Sequence, residues 1–350
     1  MERSGRCNAD KMIIKPCKIS IVVFLVVSIV VNVSAQDPQF SQFYATPLYL
    51  NPAFTGNTIE GRMAGVFRDQ WPKIPGAFIS YAFSYDHYVR KINSGLGLMF
   101  IRDKAGSAGL RFTKIAASYA YIANLSRRLS FRAGLRFAYA TRTLDQSKLI
   151  FGSQLTQNES AGVPIPPFQK VWYFDTGAGA VLYSHNFWFG ISSDHLNQPK
   201  LSLVGLNYRL PMKYSAHGGY VHPLTRNAKK KITSTLVIAA NYKAQDKWDQ
   251  TDLGVYYKKE PVVFGLWYRG IPFLKRNPGK SSSYVNQDAL VFMLGLHVRD
   301  FRIGYSYDAT ISKLIGSSGG AHEITIIYEY VGHKKSLTRS KFFVVPCAKF

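Results

Sequence analysis

The chain has 350 residues, 47% of them hydrophobic and 14% aromatic, and its 44 lysines and arginines outnumber its 20 aspartates and glutamates. The net charge of +24 is compatible with nucleic-acid binding, but no helix-turn-helix, zinc-finger or RNA-recognition signature accompanies it. The sequence therefore predicts no nucleic-acid partner and favours an acidic protein or the phosphates of lipopolysaccharide as the counter-charge.

Residues 1–35 have the composition of an export signal. Lysines precede an apolar run at 19–33, and Ser34-Ala35 offers a small-residue cleavage site. The run is shorter than the roughly 20 residues that a membrane helix needs, and an uncleaved anchor is the alternative. Because the signal contains five basic and two acidic residues, we expect a mature chain of residues 36–350 with a net charge of +21.

The cysteines exclude a small module held together by disulfides. Cys7 and Cys17 leave with the signal, so Cys347 has no partner for an intramolecular disulfide. No second apolar stretch of spanning length follows the signal, which excludes a helical membrane protein.

Residues 36–58 are rich in aromatic side chains and prolines. The aromatic residues are too many for a solvated tether, and the prolines disfavour a regular strand. We expect a periplasmic segment that packs on the mouth of the following domain or on a partner, with Phe40, Phe43 and Tyr44 as contact residues.

From residue 59 to 330 the sequence predicts about fourteen strands. At 77–86, Ile79 and Tyr81 begin an aromatic face, and Ser80 and Ala82 begin a small, polar one. A soluble sandwich would turn the aromatic face to its core, whereas an outer-membrane barrel turns it to lipid. The predicted strands are 60–68, 77–86, 94–102, 111–123, 129–143, 171–182, 187–194, 213–221, 232–244, 251–258, 262–269, 287–298, 301–309 and 321–330.

The lengths of the connections favour the barrel. Tight turns, such as 125–128 and 299–300, alternate with long ones at 144–170, 195–212, 270–286 and 310–320. Short turns on one rim and long loops on the other are typical of bacterial outer-membrane barrels. We therefore predict an all-β, transmembrane, antiparallel up-and-down β-barrel of about 14 strands over residues 59–330, followed by a basic periplasmic tail at 331–350.

Positive charge collects on the rim of short turns. We expect this rim to dock an acidic periplasmic partner, because clustered like charge steers association; plain solvation of the turns is the alternative. Within it, Lys229, Lys230 and Lys231 are the predicted contacts. The other basic residues of this rim and of the tail are Arg90, Lys91, Arg127, Arg128, Arg226, Lys258, Lys259, Lys334, Lys335, Arg339, Lys341 and Lys349.

The sequence offers little for catalysis. No serine lies in a nucleophile elbow, and no His, Cys and carboxylate spacing suits a metal, so we predict a non-enzymatic protein without a cofactor. His322 and Glu323 should point to opposite faces of their strand. Trp71, in a proline-stiffened loop, is a candidate contact on the other rim, because Trp is a frequent interface hot spot, although it also suits a headgroup-level belt.

Several segments are too distinctive for a generic barrel wall. The first is 39–44, with the sequence Gln-Phe-Ser-Gln-Phe-Tyr, continuing to 51–53. The others are 68–72, 103–106, 194–199, 267–272, 301–308 and 319–323, and together the segments cover nearly all of the mature chain in order. In these segments the chain resembles the PorP/SprF family, outer-membrane components of the type IX secretion and gliding system of Bacteroidota.

The resemblance implies a non-enzymatic barrel in the outer membrane, with a periplasmic N-terminus. An even number of strands would return the C-terminus to the same side. The resemblance also implies association with the periplasmic ring and motor proteins, and with export or surface attachment of large cargo proteins such as gliding adhesins. It does not assign the translocation pore to this barrel. Outer-membrane lipid and lipopolysaccharide are the other expected partners.

Two other functions stay open at this point. A passive porin or solute channel would be lined by Ser80, Ser84, Arg132 and Arg136, which would suit anions. A purely structural docking protein or adhesin would differ in that no cargo depends on it.

Overall fold

Residues 37–58 and fourteen strands joined into a closed antiparallel barrel account for most of the described chain. The computed structural model describes residues 37–107, 109–145, 170–202, 208–226, 232–246, 248–276, 283–312, 316–330 and 344–347. Each strand pairs with its neighbours in sequence, and the first strand pairs with the last. In these ranges no helix is long and apolar enough to cross a membrane.

The predicted strands are confirmed in order, and within the described ranges the barrel has fourteen of them. The strands are β1 (Gly61–Gln70), β2 (Phe78–Val89), β3 (Ser94–Ala105), β4 (Leu110–Asn124), β5 (Ser130–Thr143), β6 (Val171–Tyr183), β7 (Phe187–Asp194), β8 (Lys213–Arg226), β9 (Ile232–Gln245), β10 (Trp248–Lys259), β11 (Val262–Arg276), β12 (Ser283–Val298), β13 (Phe301–Thr310) and β14 (Ala321–Tyr330). The short helices are α1 (Pro47–Leu50) and 3-10 turns at Pro52–Phe54 and Arg90–Ile92.

The two faces of each strand have opposite environments. On β2, Tyr81 and Phe83 are 49% and 50% exposed on the outside of the barrel, whereas Ser80 and Asp86 are 4% and 0% exposed on the inside. The period of two therefore separates an aromatic outer wall from a polar inner one, as predicted.

The connections divide the barrel into two rims. The short-turn rim carries the turns after β2, β4, β6, β10 and β12, together with the start of β1 and the end of β14. The long-loop rim carries 71–77, 195–212 and 311–320, but its connections at 106–109 and 246–247 are also short. The predicted long connection 270–286 is shorter than expected, because β11 continues to Arg276 and β12 begins at Ser283.

The interior of the barrel is filled. Residues 39–58, here called the plug, run inside the strands, and Phe40, Leu48, Ala53 and Phe54 are no more than 1% exposed. The buried apolar residues of the plug belong to the same clusters as inward side chains of the wall. This segment was expected to pack on the periplasmic mouth of the barrel or on a partner, and it lies inside the barrel, where it forms much of the core.

Candidate functional site

The N-terminal part of the plug is held by a carboxylate of the last strand. The backbone N–H groups of Ser41 and Gln42 donate to the two oxygens of Glu323, at 2.7 and 2.9 Å. The Gln42 side chain donates to the Glu323 carbonyl at 3.1 Å and accepts from Thr325 Oγ1 at 2.6 Å. Two consecutive residues are thereby fixed in register against β14.

Buried charges surround Ser41. Its hydroxyl donates to Asp308 Oδ2 at 2.6 Å and accepts from Arg68 at 2.6 Å and Arg269 at 2.8 Å. Arg68 also pairs with Asp308 at 2.9 Å and with Glu323 at 3.0 Å. Arg269 pairs with Asp308 at 2.8 Å and with Asp252 at 3.1 Å. We call Arg68, Arg269, Asp252, Asp308 and Glu323 the ion cluster.

The charges of the ion cluster are buried, and each is paired with an opposite charge. Its five side chains are at most 3% exposed, except Asp308 at 4%, and a charge buried this deeply is tolerated only when it is paired and hydrogen-bonded. The plug supplies part of that pairing through Ser41 and Gln42. Removing the plug would therefore leave carboxylate oxygens without donors.

The middle of the plug is bonded through its carbonyl groups. A helix leaves its last carbonyls without partners, and α1 is only four residues long. Arg136 donates to Leu48 O at 2.7 Å, and Ser192 Oγ donates to Leu50 O at 3.1 Å. Further along, Arg132 donates to the Ala53 carbonyl at 2.8 Å and also to that of Thr55. Side chains of β5 and β7 therefore complete the backbone hydrogen bonding of the plug.

Asn51 joins the two short helices to the wall. Its Oδ1 accepts from Ala53 N at 2.9 Å and caps the 3-10 turn, while its amide nitrogen donates to Ile191 O at 2.9 Å. The same nitrogen lies 3.1 Å from His217 Nε2. The side chain approaches β6 so closely that a Cβ at Gly179 would lie 2.1 Å from Asn51 Oδ1.

The aromatic residues proposed as partner contacts are buried in the lumen. Phe40, Phe43 and Tyr44 are 1%, 4% and 3% exposed. Phe43 packs edge-on against Trp267 at 5.4 Å, and Tyr44 against Trp188 at 5.6 Å. Of the two places expected for these rings, barrel or partner, they occupy the barrel, inside it rather than at its mouth.

Part of the C-terminal tail folds back onto the plug. Val345 N donates to Asn57 Oδ1 at 2.7 Å, and Val345 and Cys347 are buried in the same cluster as Tyr44. The tail was expected to be a basic periplasmic extension of the barrel. Residues 344–347 cover the end of the plug, and 331–343 and 348–350 lie outside the described residues, so the periplasmic position of the tail stays a prediction.

The remaining predicted contacts lie on the rims. Trp71 is partly exposed in the loop after β1. Its backbone N–H donates to Gly320 O at 2.8 Å, and its ring packs edge-on against Phe78 at 5.3 Å. Its role in binding a partner stays a prediction. Lys229, Lys230 and Lys231 lie outside the described residues.

The side chains proposed to line a channel face inward, and the two arginines among them hold the plug. Ser80 and Ser84 are 4% and 7% exposed, and Arg132 and Arg136 are 0% and 2% exposed. Both arginines donate to plug carbonyls. Their presence in the lumen was predictable from the alternation, and their use as anchors for the plug was not.

His322 and His195 are held in structural contacts. As expected, His322 and Glu323 separate: His322 Nδ1 lies 2.8 Å from the outward Tyr305 hydroxyl, while Glu323 faces the plug. His195 lies 2.8 Å from Asp175, which also pairs with Lys114 at 2.6 Å. Among the described residues, no group of three or more His, Cys, Asp or Glu side chains is placed to hold a metal ion.

Most of the motifs singled out in the sequence meet at the plug. Residues 39–44 provide Ser41 and Gln42, and five of the six later motifs provide one charged wall residue each. These wall residues are Arg68 from 68–72, Asp194 from 194–199, Arg269 from 267–272, Asp308 from 301–308 and Glu323 from 319–323. In the sixth, 103–106, Asp103 accepts a hydrogen bond from Ser80 on the neighbouring strand. Segments far apart in the chain thus act together to hold one internal segment.

The solved structures similar to this chain include a hydrocarbon channel, BamA and a porin. A TodX deltaS2S3 mutant monoaromatic hydrocarbon channel gives a TM-score of 0.45 at 11% identity, covering 80% of this chain and 92% of that one. BamA from Haemophilus ducreyi lacking POTRA domains 1-3 gives 0.40 at 10% identity, covering 77% and 70%. The KdgM porin gives 0.34 at 8% identity, covering 77% and 99%. No curated protein matches the chain.

The family comparison is more specific. A family model described as type IX secretion system membrane protein PorP/SprF matches residues 32–328, which include the plug and nearly all of the barrel. A closed β-barrel in such a family implies the outer membrane. The chain belongs to the PorP/SprF family of type IX secretion system membrane proteins.

Proposed function

We propose that the protein is a non-enzymatic outer-membrane component of the type IX secretion and gliding system, which supports export or surface attachment of cargo proteins. The observation that carries the proposal is the plug: the lumen is occupied by residues 39–58, bonded to the wall through Glu323, Arg132 and Arg136. A filled barrel suits a docking component better than a solute conduit.

The proposal includes an orientation. Short turns of outer-membrane barrels face the periplasm, and longer loops face the exterior. The short-turn rim, with residues 344–347 against Asn57, then faces the periplasmic machinery. Trp71 then faces outward, whereas most of the loop at 144–170, which the sequence also predicts to face outward, lies outside the described residues. The N-terminal end of the plug, at Ser41, lies in the half of the lumen nearer the long-loop rim, because Arg68 is near the end of β1.

Deletion of residues 39–44 is the test of function. We expect the barrel to remain heat-modifiable and cargo secretion to be lost, because the deletion removes the hydrogen bonds that Ser41 and Gln42 make to the ion cluster. Secretion is measured as cargo in culture supernatant or on the cell surface. The matched control deletes six residues of the tail, 331–336, and should secrete normally. Normal export by the 39–44 deletion would contradict the proposal.

Planar-bilayer recordings separate this proposal from the porin alternative. We expect the intact protein to be electrically silent, because the plug residues Phe40, Leu48 and Phe54 are fully buried across the lumen. A passive porin would show steady open channels at comparable protein density. Steady conductance of the intact protein would therefore favour the porin.

The short-turn rim is the proposed contact with the periplasmic ring and motor proteins. Arg127 and Arg128 are exposed in the turn between β4 and β5, and the sequence adds Lys229, Lys230 and Lys231 on the same rim. Their like charge favours an acidic partner surface.

Reversal of Lys229, Lys230 and Lys231 to glutamate should weaken capture of these partners by about tenfold or more at low salt, with a smaller effect at high salt. The measurement is co-purification with the tagged barrel from solubilised membranes. Lys73→Glu with Lys200→Glu, on the long-loop rim, is the control. Unchanged co-purification of the triple variant would contradict the assigned surface.

A further inference from the structure

An apolar groove with a volume of about 880 Å³ runs along the outside of the barrel. It crosses β14, β1, β2 and β3, and its size is within the roughly 300–1,000 Å³ of ligand pockets. We call it the outer groove. Its apolar lining includes Phe67, Phe83, Phe100, Ile324 and Ile326.

The groove exists because one outward position has no side chain. Gly65 on β1 lies directly between Phe83 of β2 and Ile326 of β14, and a Cβ at this position would meet nothing within 4 Å. The two large neighbours therefore form walls, and the backbone of β1 forms the floor. A trough of this shape fits an extended aliphatic chain.

Three basic side chains stand at one end of the groove. Arg102 and Lys104 lie on β3 and Arg111 on β4, all facing outward, and Lys104 and Arg111 are direct cross-strand partners. Arg111 pairs loosely with Asp145, at 3.9 Å. Within the described ranges neither Arg102 nor Lys104 forms an ion pair. Like charges placed directly opposite each other are unfavourable without a counter-ion.

The position of this charge points to its partner. All three residues lie towards the long-loop rim, where β3 ends and β4 begins. A lysine or arginine on the lipid face is costly at the bilayer midplane and tolerated near the interface, where it meets headgroups. An anionic headgroup would neutralise the cluster, and its acyl chains would extend along the groove.

We propose that the outer groove binds the lipid A part of one lipopolysaccharide molecule, with a phosphate on Arg102, Lys104 and Arg111 and an acyl chain over Gly65. This inference rests on the orientation in the proposed function, in which the long-loop rim meets the outer leaflet. A second barrel or another membrane protein fits less well, because an apolar partner would leave Arg102 and Lys104 without a counter-ion.

Substitution of the three cations tests the headgroup contact. The full-length protein with Arg102→Gln, Lys104→Gln and Arg111→Gln is purified in mild detergent, and retained lipid A is counted by native mass spectrometry. We expect retention to fall by about tenfold or more, since each basic residue contributes to binding of an anionic lipid surface. Arg127→Gln, Arg128→Gln and Lys259→Gln, on the opposite rim, form the matched control and should retain wild-type lipid. Equal retention by both triple variants would overturn the proposal.

A binding assay distinguishes the phosphate of lipid A from inorganic phosphate and from phospholipid. Wild-type protein in nanodiscs is offered bisphosphorylated or dephosphorylated lipid A, with inorganic phosphate as competitor. We expect preference for the bisphosphorylated lipid and no competition at millimolar phosphate. Competition by phosphate, or retention of phospholipid in place of lipid A, would overturn the assignment.

Filling the groove tests the acyl contact. Gly65→Phe has space for its Cβ and should reduce lipid A retention while leaving the barrel heat-modifiable. Ala240→Phe, at an outward position on β9, is the control. A photo-crosslinking phenylalanine analogue in place of Phe83 should react with lipid, and a crosslink to protein would overturn the proposal. These readouts use purified protein, so a failure of the proposed role in secretion would leave them unchanged.

Discussion

Arg68→Ala is expected to loosen the plug while the barrel stays closed. The buried guanidinium holds Asp308 at 2.9 Å, Glu323 at 3.0 Å and the Ser41 hydroxyl at 2.6 Å. Its removal leaves two carboxylates with less positive charge in a buried site, and breaking such a pair costs about 3–5 kcal/mol. The hydrogen bonds between the strands are unchanged, so the lost free energy weakens the attachment of the plug and not the barrel wall.

Hydrogen exchange measures this effect where it arises. The amides of Ser41 and Gln42 donate to Glu323, and their exchange should accelerate by about a hundredfold in Arg68→Ala. Brief channel openings should also appear in planar bilayers.

The control removes an exposed arginine. Arg90 lies 3.8 Å from Glu60 and is 45% exposed, so Arg90→Ala should cost less than about 1 kcal/mol. The double variant Arg68→Ala with Glu323→Gln should lose less stability than the sum of the losses of the two single variants. The reason is that the removed carboxylate is one that Arg68 neutralises. Exchange rates equal to those of Arg90→Ala would refute the anchoring role of Arg68.

The barrel was predictable from local patterns. Alternation with a period of two is set by the backbone of each strand, so Tyr81 outside and Ser80 inside follow from sequence alone. Connection lengths then distinguished a barrel from a sandwich. Both signals need only neighbouring residues, which is why the strand order and number agree with the structure.

The plug was not predictable in the same way. Residues 39–58 have no regular period, and their contacts join positions far apart, such as Ser41 and Glu323, which are 282 residues apart. The density of aromatic residues indicated that the segment packs on something. One signal was available in the wall: Arg132 and Arg136 occupy inward positions of β5, where buried charge requires a partner.

The glycines of the strands are a second such signal. Gly95, Gly97 and Gly179 lie within strands, where a glycine weakens the strand and often marks a close approach of another part of the chain. In the structure a Cβ at Gly95 would lie 2.1 Å from Thr55 O, and one at Gly179 would lie 2.1 Å from Asn51 Oδ1. A sequence shows that space is needed on the inner wall but not which distant segment fills it.

Gly134→Leu is therefore expected to displace the plug by steric contact alone. A Cβ at this inward position of β5 would lie 2.4 Å from Pro52 C and 2.5 Å from Ala53 N. These are backbone atoms of the 3-10 turn, so no side-chain rotation relieves the clash. We expect the free energy of unfolding to fall by about 3 kcal/mol, the upper end for an overpacked core, and hydrogen exchange to become rapid over residues 51–56.

Two controls separate displacement of the plug from damage to the barrel. Gly65→Leu, with no atom within 4 Å of its Cβ, makes the same substitution on the outer face and should leave the plug in place. In a chain lacking residues 39–58, Gly134→Leu should cost nothing further, because the clashing backbone is absent. An equal cost in both backgrounds would place the strain in the strand ladder and contradict the role of Gly134 as space for the plug. If the loss of stability is confined to the full-length chain and appears together with channel openings, the plug is what blocks conduction through this barrel.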